Sequence, residues 1–270
     1  YNTCKLTCEA IQSVYSFTKK LNIEIIVSDN DSKDDSVPTI NNKFPEVIII
    51  ENKQNLGFGK ANNKGFEIAS GKYVFLLNTD TYLLNNAIEI LYDYMELAEN
   101  KSVSVCGAKL FKPDLSYNVS AGNFPNYKLF VKGSFLKYFY SKRFYSKAKR
   151  RPIPSESETP FEVDYVSGAD FFVRKQIIEK TGGFDKRFFM YAEDVELSYR
   201  INKYFPETKS MIVPKAKIVH ISQGSSKTKR KSMKFRYRFI KSRTIYYRIT
   251  EGIIPSVLYF ITSIKRLYIR

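Results

Sequence analysis

The sequence predicts an α/β domain: a mostly parallel, twisted sheet with helices on both faces, followed by a basic, helical C-terminal appendage. Three observations carry this. Apolar runs of four or five residues alternate with amphipathic stretches up to about residue 106. Two of those runs end in polar turns rich in Asp and Asn, where a sheet of this kind binds ligands beyond its strand ends. Positive charge is then concentrated in two later stretches instead of being spread over the chain.

In chain order, Thr3 to Lys19 reads as a helix with Leu6, Ala10, Val14 and Phe17 on one stripe. Ile23 to Val27 is a short apolar run ending in the polar turn SDNDSKDDS (28–36), and Val47 to Ile50 is a second run. Gly57 to Ala69 reads as a helix, Tyr73 to Leu77 as a buried strand ending in NTD (78–80), Asn85 to Ala98 as a helix, and Val103 to Cys106 as a fourth strand. The alternation stops after Leu115, and 115–160 is basic, aromatic and then Pro-rich, as an insert or lid. Order returns with a strand from Val163 into SGADFFVRK, a turn at Gly182–Gly183, a helix from about Glu193 to Lys203 and strand character from Ile212 to His220. The expected division is a main domain over 1–226 and a tail over 227–270.

The chain carries 44 Lys plus Arg against 27 Asp plus Glu, a net charge of +17. Nine basic and no acidic residues lie between Leu115 and Ser155, and ten basic and no acidic residues between Lys227 and Arg248. A near-neutral body with two cationic attachments fits this better than a uniformly basic nucleic-acid binder, and points to a polyanionic surface, either phospholipid headgroups or a phosphate backbone. Cys4, Cys8 and Cys106 have no framework spacing and His220 is the only histidine, so reduced thiols are expected and not a zinc site. The apolar run Ile253 to Ile264 has twelve residues and includes Pro255, against the ~20 that span a bilayer. The chain opens at Tyr1 without a methionine, which suggests N-terminal trimming.

Five local patterns carry chemistry. Asp80 follows a buried strand, where a carboxylate and substrate phosphates together hold Mg²⁺ or Mn²⁺; the alternative is a turn in which Asn78 and Asp80 cap the helix at 85. Asp29, with Asn30, Ser32, Asp34 and Ser36, suits the edge of a base and a ribose hydroxyl, or is simply a polar turn. NLGFGKANNKG (55–65) lacks both glycine signatures for phosphate, so close loop packing is the stronger reading. Glu193 and Asp194 open a helix, where capping is the ordinary role of carboxylates. His220 ends an apolar strand, as a ligand or as a core residue.

In order and spacing these segments resemble family 2 glycosyltransferases of the GT-A fold, above all the rhamnosyltransferase-like branch. SDNDSKDDS is similar to that family's first nucleotide-binding turn, and NLGFGKANNKGFEIASGKYVFLLNTDT (55–81) to its second block, with Asn78-Thr79-Asp80 standing where the metal-binding D-x-D is found. VSGADFFVRKQIIEKTGGFDKRFFMYAEDVELSYRI (166–201) resembles the acceptor-side block, and VHISQGSS (219–226) the late segment whose histidine completes the metal site. The departures are Asn78 in place of the first Asp, and the strand that the family places before Tyr1-Asn2, which this sequence does not contain.

The resemblance implies a GT-A domain that moves a sugar, with inversion, from a nucleoside-diphosphate sugar to a hydroxyl of a glycan or lipid-linked acceptor in bacterial cell-surface polysaccharide synthesis. The first expected donor is dTDP-rhamnose, then a UDP-sugar. It further implies nucleotide contacts from Asp29, Asn30, Ser32, Asn55, Gly57, Asn62, Asn78 and Thr79, and a Mn²⁺ or Mg²⁺ ion on Asp80 and His220. Gly168, Ala169, Asp170 and Arg200 fall on the acceptor side. The acceptor hydroxyl must lose a proton as it attacks, so a carboxylate is needed opposite the leaving group; Asp194 is the expected base and Glu193 the second choice. A helix start is expected to keep it ionised at neutral pH, with Arg200 orienting it or binding diphosphate, or lying on the surface.

A nucleic-acid binder would account for the charge of 227–248 but not for strand-end carboxylates that repel phosphate. An inactive scaffold is disfavoured by the joint presence of Asp80, Asp194 and His220. A nucleotidyltransferase or dinucleotide enzyme is disfavoured by the missing glycine signatures. The expected location is the cytoplasmic face of the bacterial plasma membrane. The tail's lysines, arginines and aromatics (Phe235, Tyr237, Phe239, Tyr246, Tyr247) are expected either to lie on anionic lipid or to close the acceptor side of the domain.

Overall fold

The computed structural model describes residues 1–221 and 233–268 of the chain. Helix α1 (Cys4–Phe17) precedes β1 (Ile26–Asp29), α2 (Ser36–Lys43), β2 (Ile48–Glu51), α3 (Phe58–Ile68) and β3 (Tyr73–Leu77). Then come β4 (Thr81–Leu83), α4 (Ala87–Glu96), β5 (Val103–Phe111), β6 (Tyr117–Asn118) and β7 (Ala121–Gly122). The excursion contributes α5 (Tyr127–Lys132) and α6 (Lys142–Tyr145), and after it lie β8 (Phe161–Val163), β9 (Tyr165–Val166) and β10 (Asp170–Arg174). Helices α7 (Lys175–Thr181) and α8 (Glu193–Tyr204), strand β11 (Lys209–His220), and helices α9 (Met233–Thr250) and α10 (Ile253–Tyr268) complete the chain.

The main sheet is mixed, not mostly parallel. Its order is β3-β10-β5-β11-β4, with β6 on β5 and β8 on β11. β3, β5 and β11 run the same way, as strand–helix alternation predicts, but β10 inserts antiparallel between β3 and β5, and β4 lies antiparallel on β11. Alternation reports only sequence neighbours. The reversal arises because β10 re-enters from the excursion, far along the chain. β1 and β2 form a separate parallel pair.

Helices cover both sheet faces. Leu91 and Met95 of α4 pack on Cys106, Leu110, Phe172 and Ile218. Ile178 of α7 and Leu197 and Ile201 of α8 pack on Val105, Phe171 and Val173. Strand β5 is buried over eight of its nine residues because it has strands on both edges and helices on both faces. A third core is aromatic: Tyr127 and Val131 of α5 meet Tyr246, Tyr247 and Tyr259 of α9 and α10, together with Phe188, Ala192 and Val195 at the start of α8. The excursion and the tail therefore pack on each other and on the segment that opens α8.

Two helices fall where the sequence reading assigns no element. Ser36–Lys43 is helical; Pro38 and the pair Asn41-Asn42 are weak helix formers, yet proline is tolerated in a first turn and Ile40 is buried against α1. α7 is one short helix after β10, ended by Gly182 in the left-handed region at φ 77°.

Candidate active site

At the C-terminal end of β3, Asn78-Thr79-Asp80 turns into β4, and the Thr81 hydroxyl donates to the Asn78 carbonyl at 2.6 Å. The β4–β11 ladder pairs Thr81 with His220, which brings His220 Nε2 to 3.3 Å from Asp80 Oδ1, with the two side chains 17% and 16% exposed. Asn78 Nδ2 lies 3.5 Å from the same imidazole nitrogen. One carboxylate and one imidazole, side by side and partly exposed, fit a hard divalent ion that takes its other ligands from substrate phosphates and water. Among the described residues no group of three or more His, Cys, Asp or Glu gathers, and Asp80 with His220 is a partial shell of this kind. Residues 222–226 of the late motif lie outside the described residues.

The acid pair is placed by a strained turn. Tyr191 (φ 75°) and Ala192 (φ 63°) both occupy the left-handed region, unfavourable for side-chain-bearing residues and held by what surrounds them. Phe188 and Ala192 are buried in the aromatic core, the Tyr191 ring packs on Phe235 at 4.8 Å, and the Ser242 hydroxyl of α9 donates to the Met190 carbonyl at 2.8 Å. Asp194 Oδ2 then accepts from Gly168 N at 3.0 Å and Oδ1 from Val195 N at 2.8 Å.

Helix-start position does not keep this pair at ordinary carboxylate values, contrary to the sequence expectation. Burial raises both, and outweighs the helix dipole. Glu193 is pushed up to about 8 by burial and by the neighbouring Asp194 charge, and its Oε2 has no hydrogen-bond partner among the described residues. Asp194 is raised by burial, while the Gly168 and Val195 amides and the Arg243 charge pull it back. The two titrate as a pair. The donors on Asp194 place the negative charge there and the shared proton on Glu193.

Arg243 is a residue that sequence reading assigned only to the tail. Its guanidinium stacks over the Phe239 and Tyr246 rings at 5.4 and 5.9 Å and supplies positive potential to Asp194.

The residues expected to meet the nucleotide begin at the end of β1 and the turn after it. Asp29 is buried at the strand terminus and its Oδ2 accepts from Ser32 N at 2.8 Å. A cleft lined by Asp29, Ser32, Val37, Asn52 and Lys53 opens beside it. Three expected contact residues are instead engaged in shaping the loop. The Asn30 amide bonds Gly57 O and Leu56 N at 3.1 and 3.2 Å, Asn55 Oδ1 accepts from Gly57 N, and Asn62 Nδ2 donates to Phe58 O. Gly57 (φ 83°) is required by close approach, since a Cβ there would stand 2.1 Å from Phe189 O. Thr79 Oγ1 lies 3.3 Å from Thr3 Oγ1.

Asn63, which the sequence did not single out, bonds both polar atoms of Phe184 at 2.8 Å. It locks the GFGKANNKG block to the GGFD turn. Gly57 and Asn63 thus pack the 55–65 segment closely on residues 184–189.

On the acceptor side, Gly168 lies against Phe58 and Asp194, and the Ala169 carbonyl accepts from Asn78 N at 3.2 Å. The other two residues expected there are engaged within the fold. Asp170 is fully buried, bonded to Ala108 N at 2.8 Å and held well above the usual carboxylate range by burial; its position in β10 points it into the core. Arg200 bonds both oxygens of Glu196, at 2.9 and 2.8 Å, and the carbonyls of Thr181 and Gly183. It clasps α7 to α8 and does not orient Asp194.

Residues 1–181 match the family model described as "Glycosyl transferase family 2". The chain is 28% identical over 209 residues to the N-acetylglucosaminyl-diphospho-decaprenol L-rhamnosyltransferase of Mycobacterium tuberculosis, covering 73% of this chain and 66% of that one. It is 32% identical over 129 residues to a UDP-Glc:alpha-D-GlcNAc-diphosphoundecaprenol beta-1,3-glucosyltransferase of Escherichia coli, covering 43% and 51%. The chain therefore spans about two thirds or less of the length of these relatives. Among solved structures, it superposes on GalNAc-T7 with UDP, GalNAc and Mn²⁺ at TM-score 0.63 and 16% identity, over 91% of this chain and 46% of that one. It also superposes on the mannosyltransferase PcManGT of Pyrobaculum calidifontis, with GDP-Man and Mn²⁺, at TM-score 0.60 and 15% identity, over 100% and 68%. With the match over residues 1–181 and the GT-A architecture, the chain belongs to glycosyltransferase family 2.

Proposed function

We propose that this glycosyltransferase transfers a sugar, with inversion, from a nucleoside-diphosphate sugar to a hydroxyl of a lipid-linked glycan at the cytoplasmic face of a membrane. The observation that carries the reading is one short chain of contacts across the site. His220 and Asp80 adjoin Asn78, Asn78 N bonds Ala169 O, and the next residue back, Gly168, bonds Asp194. These contacts link Asp80 and Asp194 through one loop, and in this reading a diphosphate beside Asp80 and an acceptor hydroxyl beside Asp194 take opposite sides of one sugar, as in-line displacement requires.

Roles follow from the chemistry of each group. Asp29 and Ser32 hold the nucleoside end. Asp80 and His220 would hold the divalent cation, which supplies charge neutralisation for the departing diphosphate. Asp194 accepts the proton of the attacking hydroxyl, and Gly168 N and Val195 N fix its oxygens. Glu193 retains its proton beside it, so the pair carries one negative charge. The names of the two relatives both specify N-acetylglucosaminyl-diphospho-prenol acceptors, which supports that acceptor class here. The rhamnosyltransferase relative supports dTDP-rhamnose as the first donor to try, before UDP-sugars. Release of nucleoside diphosphate, measured with and without Mn²⁺ over a donor panel, tests the reading. Acceptor-dependent release that needs the metal is expected, and no release with any nucleotide sugar contradicts it.

A further inference from the structure

Helix α10 is amphipathic in the inverted sense. Its polar side chains Ser256, Thr262 and Ser263 are buried, with Tyr259, against the rest of the protein. Its outward residues Ile253, Ile254, Val257 and Ile261 are apolar and 46 to 72% exposed. At 100° per residue these four fall within one arc of about a quarter turn. A helix on the surface of a water-soluble domain ordinarily shows the opposite arrangement, so this face is built to meet something apolar.

Its neighbour supplies the charge. On α9, Lys234, Lys241 and Arg248 recur at seven-residue spacing, which places them on one stripe, and all three are exposed, as is Tyr237 beside them. The sequence from 227 to 248 holds ten basic residues and no acidic one. The aromatic core joins this hairpin to the excursion through the Phe130–Tyr259 contact at 4.8 Å, and the excursion adds Tyr138 and Phe139, 78% and 77% exposed. Lys229, Arg230 and Lys231 lie outside the described residues.

We propose that the α9–α10 hairpin is a docking surface for an anionic lipid bilayer, with the Lys234–Lys241–Arg248 stripe on the headgroups and the Ile253–Ile261 arc inserted below them. The occupant is set by the pairing of the two faces. An apolar arc alone suits many partners, whereas an apolar arc on a helix packed against a strongly cationic one, with Glu251 at the turn the only acid from 227 to 270, suits negatively charged lipid. The helix lies in the interface and does not cross it. Its 16 residues extend about 24 Å, short of the ~30 Å hydrocarbon core, and no helix among the described residues is long and apolar enough to cross a membrane. This extends the lipid-linked-acceptor reading, since a docked α9 also contacts Met190 and Tyr191 ahead of the acid pair.

The test is sedimentation of the whole chain with vesicles of phosphatidylcholine alone, or with about one third phosphatidylglycerol, across a salt series. Two variants accompany it: Lys234→Gln with Lys241→Gln and Arg248→Gln, and Ile254→Glu with Ile261→Glu. All these positions are exposed, so unchanged thermal unfolding confirms that both variants fold. Binding to the anionic vesicles that weakens with salt, and falls at least about tenfold in each variant, is expected. Equal binding to neutral vesicles, or either variant binding as the parent does, overturns the proposal. So does an isoleucine variant that converts a dimer to a monomer while vesicle binding persists, because the face then belongs to a second copy. No sugar donor is present, so failure here leaves the transfer reading intact, and absence of turnover leaves the docking result standing.

Discussion

Gly168 donates its backbone N–H to Asp194 Oδ2 at 3.0 Å, tying the loop before β10 to the first turn of α8. Asp194→Asn keeps the shape of the side chain and removes its basicity. Transfer is expected to fall by roughly two to four orders of magnitude, with donor affinity, read by calorimetry, unchanged. Glu193→Gln is expected to cost far less, because Glu193 already holds a proton near neutrality. If the losses are reversed, the two carboxyls exchange roles.

The raised values set the pH dependence. A base must be ionised, so turnover rises with pH through the elevated value of the pair. Glu193, Asp170 and Tyr165 surround Asp194 in this field, and Arg243 opposes them. Arg243→Gln removes a charge that lowers Asp194, so the acid limb of the kcat profile moves to higher pH, and Arg243→Lys restores it. An unmoved profile would show that Arg243 only packs between its rings. Stability has its own sign: Glu193 rises from 4.5 to about 8 on folding, so its contribution is full below 4.5 and is lost as pH rises to about 8. Glu193→Gln is expected to flatten that part of the unfolding-versus-pH curve.

Asp80→Ala is expected to abolish turnover and the Mn²⁺-dependent part of nucleoside-diphosphate binding, leaving metal-free binding intact. His220→Ala weakens metal affinity in the same direction, because its ring stands 3.3 Å from the Asp80 carboxylate. Titration of Mn²⁺ into the nucleotide complex measures both. Parental affinity in Asp80→Ala would remove this residue from the metal site.

Asp29→Ala is expected to raise the donor KM much more than it lowers kcat, since the nucleoside end is remote from the bond that breaks. Steady-state kinetics over donor concentration separate the two. Equal losses point to folding or catalysis instead.

Asn63→Leu strands the buried N–H and C=O of Phe184, to which Asn63 bonds at both atoms. A loss of about 2–4 kcal/mol in urea unfolding is expected. A variant as stable as the parent would mean that the GGFD turn is held without this link.

Much of the site was legible because its residues sit at strand ends. Asp80 follows β3, Asp29 ends β1 and His220 ends β11, positions that apolar runs mark in the sequence. Other features depend on pairings between distant segments. The reversal of β10 in the sheet, the use of Asn30 and Asn55 to bond Gly57 and Leu56, and the clasp of Arg200 on Glu196 appear only once those segments meet. The burial of Asp170 was not legible either, because the resemblance assigns it to the acceptor side without showing that β10 starts there and buries it. The proton on Glu193 was missed because helix-start chemistry is local, while burial comes from the aromatic core that the tail completes.

The most direct test of the account is acceptor-dependent release of nucleoside diphosphate by the parent and by Asp194→Asn, with Mn²⁺ and an N-acetylglucosaminyl-diphospho-lipid acceptor. The account predicts release by the parent that requires donor, acceptor and metal together, and a loss of at least about a hundredfold in the variant with donor still bound. Release by the variant at the parental rate would contradict it.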